Sequence, residues 1–344
     1  MTAAGRAGTT VDDLAEGLHQ AVLDLLPASH DDPDLGDFVR LMRDYPARAG
    51  KRVRGRLVLR STAAHGGDPA AALVVAAALE LFQNWVLVHD DIEDDSEERR
   101  GLPALHRSVG IPIALNVGDA MHVYMWAALF DLRAQVGFDA DAIRREFVWM
   151  IHRTAEGQHL DLTWVAQGRF DVSEDAYLAM VRRKTAAYTV TSPLRLGAHA
   201  SGRAPHPALP SVGERLGAAF QIRDDVLNLQ RSDGNLYGKE FAGDLYEAKR
   251  TLVLAHALAH ASSAEADEAI ARLRPPREQR SEDDVRWLLD LFERRGSLRY
   301  AQERAEALAE AALEELEAIV SELPGRDASR ALLTELQRLT RRVS

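Results

Sequence analysis

The chain of 344 residues contains no cysteine. Disulfide bonds, thiolate metal sites and cysteine nucleophiles are therefore excluded, and the composition fits a reducing, cytoplasmic setting. Positive charge is also in deficit, because 53 acidic residues against 42 basic ones give a formal net charge of -11. A net acidic chain is a poor candidate for nucleic-acid binding, so we expect no such partner. A local basic cluster can still bind an anionic small molecule.

The sequence shows neither a signal peptide nor a long run of purely apolar residues. The first ten residues, MTAAGRAGTT, have no apolar core, and we expect a flexible N-terminus over residues 1–10. The most apolar stretch, Ala70 to Val88, carries the polar side chains of Glu80, Gln83 and Asn84. We interpret this stretch as a buried core helix and expect no membrane span.

Apolar residues recur at helical spacing nearly throughout the chain, and convincing strand-like alternation is missing. The pattern predicts an all-α fold. No long linker divides the sequence, so we expect one domain over residues 11–344. The stretch from Arg231 to Gly243 holds three glycines among polar residues and predicts a loop. The segment from Glu303 to Leu323 predicts a packing or dimer helix. Helices are expected to begin near Thr10, Pro33, Arg52, Pro69, Ile111, Ala140, Ser173, Ala208, Lys249, Ser262, Ser281, Ser297 and Arg326.

A first aspartate cluster, Asp90, Asp91 and Asp94, directly follows an apolar helical segment. It should therefore lie at the C-terminal end of a helix, where Asp90 and Asp94 share one face because they are four residues apart. Like charges at this spacing repel, and the helix C-terminus is already the negative end of the dipole. A bound cation would relieve both effects, and carboxylate oxygens suit Mg²⁺.

A second cluster, Asp224, Asp225 and Asn228, repeats the pattern after another apolar helical run. Its last member is neutral, so this site carries less negative charge than the first. A solvated acidic helix end is the usual explanation for one such cluster. Two matching clusters favour facing metal sites, and all six residues are candidate metal ligands.

Basic residues lie close to both clusters in the sequence. Arginine forks suit phosphate oxygens and lysine supplies a compact charge, so the combination predicts a pocket for a diphosphate. Each basic residue taken singly is more often a surface residue. The candidates are Lys51, Arg54, Arg99, Arg100, Lys184, Lys239 and Lys249.

The ordered segments from about Gly50 to Leu254 resemble the motifs of the trans-prenyl diphosphate synthases, which are chain-elongating isoprenoid synthases. The resemblance implies an isoprenoid synthase fold with helices around a central cavity, a homodimer and three Mg²⁺ ions. The matching segments are Gly50-Lys51-Arg52-Val53-Arg54, Asp90-Asp91-Ile92-Glu93-Asp94 with Arg99-Arg100-Gly101, Gly157-Gln158-His159-Leu160-Asp161-Leu162, Lys184-Thr185, and Gln221 to Asn228 with Gly238-Lys239, Gly243-Asp244-Leu245 and Lys249.

The resemblance also implies a role for each matching residue. Asp90 and Asp94 would hold two Mg²⁺ ions and Asp224 the third. Lys184, Thr185 and Gln221 would lie near the carbocation. Isopentenyl diphosphate would be bound by Lys51, Arg54, Gln83 and Arg100, and the allylic diphosphate by Arg99, Lys184 and Lys239, with Lys249 nearby. The implied reaction is ionisation of the allylic diphosphate, condensation with isopentenyl diphosphate, and elimination of a proton.

Three positions depart from the family pattern. Gly55 stands where proline is frequent and should loosen the local chain. Gln83 replaces a histidine found in many bacterial members. Asn228 replaces the final aspartate of the second cluster, and none of these changes removes a residue that the chemistry must have.

Product length is expected to depend on the residues just before Asp90. The resemblance makes Trp85, five positions earlier, a gate that limits elongation, while the small Val86 leaves some depth. The first motif also lacks the two-residue insertion of typical bacterial farnesyl enzymes. We therefore expect geranylgeranyl diphosphate (C20), with farnesyl diphosphate (C15) as the alternative. The alternative is that Trp85 is an ordinary core tryptophan with no role in product length.

Two further functions compete with this interpretation. A terpene cyclase of the same fold also carries a first aspartate motif, but it usually has an Asn/Ser/Glu pattern in the second and needs no isopentenyl diphosphate site. A non-catalytic partner subunit usually loses the aspartates, and this chain keeps both sets.

Overall fold

A computed structural model describes residues 10–48, 50–132, 138–230 and 241–340, and helices dominate this part of the chain as predicted. A π-helical segment, Arg182–Thr191, joins α8 to α9, and a 3₁₀ turn, Arg277–Gln279, precedes α14. The helices are α1 (Val11–Asp24), α2 (Pro33–Ala47), α3 (Val53–Ala64), α4 (Leu73–Glu93), α5 (Leu105–Val109), α6 (Ile111–Phe130), α7 (Ala140–Ala166), α8 (Glu174–Val181), α9 (Ser192–Ala200), α10 (Leu209–Asn228), α11 (Gly243–Tyr246), α12 (Leu252–His260), α13 (Ser263–Leu273), α14 (Glu282–Arg294), α15 (Ser297–Ser321) and α16 (Arg326–Thr340).

Most helix starts agree with the sequence because capping side chains fix them. Thr10, Ser173 and Ser281 each accept a hydrogen bond from the backbone three residues on. The helix expected near Lys249 begins at Leu252 instead, because Thr251 caps it. The helix expected near Pro69 begins four residues later.

A short hairpin interrupts the helices and was not predicted. Strand β1 (Glu98–Arg99) pairs antiparallel with β2 (Leu102–Pro103). The connecting residues, Arg100 and Gly101, have φ angles of 57° and 73°, which suit a tight hairpin turn. Two-residue strands are too short to show alternation in a sequence. The hairpin places two arginines directly after the end of α4.

The apolar helix faces pack into three clusters that form one helical assembly. The first joins α1, α2, α4, α6 and the start of α7, the second gathers α8, α10 and α12–α15, and the third joins α3, α9, α10, α15 and α16. The predicted helix at Glu303–Leu323 corresponds to α15, which packs extensively against α10. It therefore has a packing role within the chain.

The apolar helix α4 passes a length and composition test for a membrane span. However, 56% of its most apolar window is buried inside the fold, against α3 and α6 among others. This is the environment of a core helix, as the sequence predicts.

The π-helical segment is held between α7 and α10 by glycines. A Cβ atom at Gly157 of α7 would lie 2.1 Å from the backbone nitrogen of Lys184. A Cβ atom at Gly217 of α10 would lie 2.3 Å from the Cβ atom of Ala186. Only glycine permits these approaches, which bring three chain segments with polar side chains against one another. The predicted loop residues 231–240 and the N-terminal residues 1–9 lie outside the described part of the chain.

Candidate active site

The first aspartate cluster ends α4, and Asp90 contacts donors from three other segments. Gln158 donates to Asp90 Oδ1 at 3.2 Å, and Lys184 Nζ lies 3.5 Å from the same oxygen. Arg99 Nη2 lies 3.6 Å from Oδ2. Asp90 is therefore surrounded by amide and cationic groups from α7, the π-helical segment and the hairpin.

Asp94 links the end of α4 to the chain that follows α10. Lys249 Nζ lies 2.7 Å from Asp94 Oδ2 and 2.7 Å from Glu247 Oε2, and it is 3.9 Å from Asp244. Burial raises the pKa of Asp94, and the nearby Lys249 ammonium partly opposes this effect. The contact joins residues 155 positions apart in the sequence.

Residues of both clusters line one small cleft. Asp94 and Arg99 contribute from the α4 side, and Asn228, Asp244 and Lys249 contribute from the α10 side. The prediction that the two clusters face each other is therefore supported by the described residues.

Asp91, by contrast, points into the protein. It is fully buried, accepts a hydrogen bond from Tyr45 Oη at 2.6 Å and receives Arg99 Nε at 2.9 Å, with Arg99 Nη2 also in contact. Burial lowers the pKa of Arg99, but the Asp91 carboxylate outweighs this effect and the net shift is upward. These are the contacts of a structural ion pair and differ from the expected metal ligation.

The second cluster contains a corresponding inward residue, Asp225. Tyr177 Oη donates to its Oδ2 at 2.7 Å and Gln221 Nε2 donates to its Oδ1 at 2.7 Å. Burial, followed by the Asp244 carboxylate, raises the pKa of Asp225 to about 8. Asn228 Oδ1 accepts the backbone N–H of Asp244 at 3.1 Å. Both residues were expected to ligate metal, and in the structure their oxygens already have protein donors.

Asp90, Asp94 and Asp224 remain as candidate ligands, since each residue is half-buried and so less enclosed than Asp91 and Asp225. Among the described residues, no three acidic or histidine side chains converge tightly enough to enclose an ion. Mg²⁺ sites at phosphate substrates do not require such a cage, because they use one or two carboxylates with waters and phosphate oxygens. The donor chemistry therefore fits Mg²⁺ that is completed by a diphosphate.

Lys184 and Thr185 lie on the π-helical segment, a backbone form that is frequent at functional sites. Lys184 Nζ lies 2.5 Å from Asp161 Oδ2, and Thr185 Oγ1 donates to Gln221 Oε1 at 2.8 Å. Burial lowers the pKa of Lys184, but the carboxylates of Asp161 and Asp90 outweigh it and hold the lysine charged. The structure thus brings together all three residues that were predicted to lie near the carbocation.

A second group of cations lies around the buried carboxyl of Glu80. Arg54 is buried, donates to Thr189 Oγ1 at 2.9 Å and lies over the Tyr188 ring. Arg100 donates to a backbone carbonyl of α2, and burial lowers its pKa to about 10 although Glu80 opposes the shift. The predicted residues Lys51, which is exposed, and Gln83, which is half-buried, lie on the adjoining loop and helix.

Gly55 was expected to loosen the local chain, but the structure shows it in close contact with its neighbours. Its N–H donates to Glu80 Oε1 at 2.7 Å, and an added Cβ would lie 2.5 Å from Leu18. A proline at this position could not donate that hydrogen bond. Glycine here tightens the contact between α3 and α4.

Gln158, Asp161 and Asp244 lie within the motif segments, but sequence spacing alone did not predict which residues they contact. One compositional signal was available for the lysines. The chain has only four, against 38 arginines, and all four occupy predicted substrate-binding positions: Lys51, Lys184, Lys239 and Lys249. Lys239 lies outside the described residues.

Trp85, the predicted gate residue, is directed towards α6. Its ring stacks on His122 with centroids 4.0 Å apart and an interplanar angle of 11°. Trp126 Nε1 donates to His122 Nε2 at 2.8 Å, and Phe82 packs edge-on against Trp85. Trp85 lies five residues, or about one and a half turns of α4, before Asp90.

Comparison with known proteins gives consistent results. The polyprenyl synthetase family model matches residues 37–292. The short chain isoprenyl diphosphate synthase of Methanothermobacter thermautotrophicus is 33% identical over 318 residues, which cover 91% of each chain. The geranylgeranyl pyrophosphate synthase of Geoglobus acetivorans is 30% identical over 325 residues, covering 92% of this chain and 94% of that one. Relatives of similar identity include geranylfarnesyl diphosphate synthases.

Among solved structures, the geranylgeranyl pyrophosphate synthase from Corynebacterium glutamicum, complexed with isoprenyl diphosphate and magnesium, superposes with a TM-score of 0.84. It is 28% identical, and the match covers 97% of this chain and all of that one. The predicted isoprenoid synthase fold is confirmed.

Proposed function

Since this chain belongs to the polyprenyl synthetase family and is a trans-prenyl diphosphate synthase, we propose that it condenses an allylic diphosphate with isopentenyl diphosphate to give geranylgeranyl diphosphate (C20). The observation that carries the proposal is the cleft lined by both aspartate clusters. Cations surround the first cluster beside this cleft: Arg99 and Lys184 lie within 4 Å of Asp90, and Lys249 lies within 4 Å of Asp94.

We assign three half-buried carboxylates to Mg²⁺, with Asp90 and Asp94 for two ions and Asp224 for the third. When bound, Mg²⁺ supplies positive charge that stabilises the negative charge developing on a departing diphosphate. The magnesium in the Corynebacterium structure supports this choice of ion. The lysines that neutralise Asp90 and Asp94 can donate to the same diphosphate oxygens.

The other residues of the cleft bind, orient and shield the reactants. Lys184 and Arg99 hold the allylic diphosphate, while Arg54 and Arg100 hold isopentenyl diphosphate beside Glu80. The Thr185 and Gln221 dipoles face the carbocation formed by ionisation, and the double bond of isopentenyl diphosphate attacks it. The proton lost afterwards passes to the released diphosphate. The apolar helix faces keep water from the cation.

The proposal of a C20 product depends on the residues at the floor of the channel. Trp85 is braced by His122 and therefore forms a fixed aromatic barrier, while Val86 one residue later is small. Geranylgeranyl synthases among the relatives support this length. Farnesyl diphosphate is the shorter alternative and geranylfarnesyl diphosphate the longer one.

A homodimer is supported by an apolar surface on α6. Ile111, Ile113, Val123 and Phe130 are each about half or more exposed, as is Val148 of α7. Exposed apolar residues concentrated on one helix pair are typical of protein interfaces. A second copy of the chain is the proposed partner, and the absence of cysteine fits a cytoplasmic setting.

The test is product analysis of the purified chain with isopentenyl diphosphate, Mg²⁺ and dimethylallyl, geranyl or farnesyl diphosphate in turn. We expect C20 diphosphate, no turnover in EDTA, and loss of turnover in Asp90→Ala and Asp224→Ala. Asp37→Ala, at an exposed residue of α2, is the matched control.

Each rival function has its own outcome in this assay. Hydrocarbon released from an allylic diphosphate alone would indicate a cyclase. An inactive purified chain would indicate a partner subunit. Near wild-type activity in Asp90→Ala or Asp224→Ala would refute the metal assignment.

A further inference from the structure

The second aspartate of each cluster is paired with a tyrosine from a different helix. Tyr45 of α2 donates to Asp91 at 2.6 Å, and Tyr177 of α8 donates to Asp225 at 2.7 Å. Both tyrosines are only 1% exposed, and the aspartates are 0% and 5% exposed. The same arrangement thus occurs at the ends of α4 and α10.

The second oxygen of each carboxylate also has a protein donor. Arg99 Nε binds Asp91 Oδ1 at 2.9 Å, and Gln221 Nε2 binds Asp225 Oδ1 at 2.7 Å. An incoming metal ion would have to displace these groups, leaving the buried guanidinium of Arg99 without its partner. Direct ligation by these aspartates is therefore unfavourable.

The tyrosines are themselves held in place. The backbone N–H of Leu105 donates to Tyr45 Oη at 3.0 Å, so this hydroxyl both donates and accepts. Tyr177 lies in the second hydrophobic cluster, on a helix whose start is capped by Ser173. Each hydroxyl is thus a fixed point to which a helix end is attached.

We propose that Tyr45 and Tyr177 are positioning residues, which fix the rotation of α4 and α10 through Asp91 and Asp225 so that Asp90 and Asp224 face the diphosphate. Successive residues of an α-helix point about 100° apart, so anchoring one aspartate inward directs its neighbour elsewhere on the helix surface. The inference deepens the proposed function and rests on it.

The test compares Tyr45→Phe and Tyr177→Phe with Tyr300→Phe. Tyr300 donates to Glu174 on α8, so its variant removes a tyrosine–carboxylate hydrogen bond away from both clusters. The readout is calorimetric titration of inorganic diphosphate into the full chain at fixed Mg²⁺ concentrations, with thermal unfolding measured alongside. We expect diphosphate–Mg²⁺ binding about 10- to 100-fold weaker in the first two variants and unchanged in the third.

Rescue distinguishes positioning from general loss of structure. Raising the Mg²⁺ concentration should restore kcat in Tyr45→Phe and Tyr177→Phe, because the metal ligands remain and only their orientation is lost. Wild-type binding in both variants, or no rescue in folded protein, would overturn the proposal.

Asp225→Asn keeps the assignment testable if a tyrosine variant fails to fold. Asparagine retains an oxygen that accepts from Tyr177, so positioning predicts binding within a few-fold of wild type. A direct ligand would lose its charge and bind far more weakly, which would contradict the proposal. Because inorganic diphosphate binding needs no prenyl product, this outcome is independent of the proposed C20 activity.

Discussion

Two regions of the proposed active site, which we call the rim and the floor, are built in different ways. The rim, defined as Asp90, Asp94, Lys184 and Lys249, is held by ion pairs between segments far apart in the sequence. The floor, defined as Trp85, His122 and Trp126, consists of aromatic contacts between two adjacent helices. Damage to the rim should therefore lower the rate, whereas damage to the floor should change product length.

Lys249 should give the largest effect at the rim. Lys249→Ala leaves the carboxylates of Asp94, Glu247 and Asp244 without their shared cation. We expect kcat to fall by about 10²–10³-fold, the loss typical when one charge-stabilising donor is removed. Steady-state assays with a saturating allylic substrate measure it.

Lys249→Arg sharpens the same prediction. Arginine keeps the charge but is larger and planar, so we expect it to restore little activity. Arg299→Lys, at an 80% exposed position, is the reciprocal control and should have no effect. Full activity in Lys249→Arg would mean that charge alone suffices at the rim.

Gly157 gives the next largest effect, through backbone contact. Gly157→Ala places a Cβ 2.1 Å from the Lys184 nitrogen, so the π-helical segment must move. We expect a stability loss of about 1–3 kcal/mol and a fall in kcat/KM of about 10²-fold, because a displacement of about 1 Å suffices for that.

The control is Gly17→Ala on α1, where nothing lies within 4 Å of the added Cβ. The free energy of unfolding of this variant should rise by about 0.5–1 kcal/mol, because alanine favours the helix more than glycine does. Chemical denaturation of both variants gives the difference. Equal stability changes would show that the close approach at Gly157 is tolerated.

The sequence predicted the rim better than its supports, for a physical reason. Asp90, Asp94, Lys184 and Lys249 occur in local motifs, so spacing was enough to group them, and the structure brings them into contact in pairs. Whether an aspartate points into the cleft depends on partners such as Tyr45, 46 residues away from Asp91. No local pattern encodes that pairing, so Asp91 and Asp225 were grouped with the other candidate ligands.

The fold was predictable to a similar degree. Capped helices such as α8 and α14 begin at the predicted residues because the signal lies within one turn. The π-helical segment was not predicted, since it depends on glycines of two other helices that let it approach closely. The stacking of His122 on Trp85 is equally non-local.

At the floor, Trp85→Ala should lengthen the product by at least one isoprene unit while the first condensation keeps most of its rate. Removing the indole also removes the surface that His122 covers, so the channel deepens towards α6. Chromatography of radiolabelled products measures the change. Trp287→Ala, on α14 in the second hydrophobic cluster, should leave product length unaltered. Unchanged products in Trp85→Ala would remove this residue from the floor.

Trp126→Phe should give the smallest effect. It tests whether the product length depends on His122 holding Trp85 in place or on the volume of Trp85 alone. Phenylalanine keeps an aromatic ring beside Phe130 but cannot donate to His122 Nε2, which then loses its 2.8 Å partner. If His122 holds Trp85 in place, its release lets the indole move and a minor fraction of longer product should form at unchanged kcat. If Trp85 blocks the channel by its volume alone, the products should match those of the wild type. The ratio of longer product to C20 therefore measures how much of the floor depends on orientation.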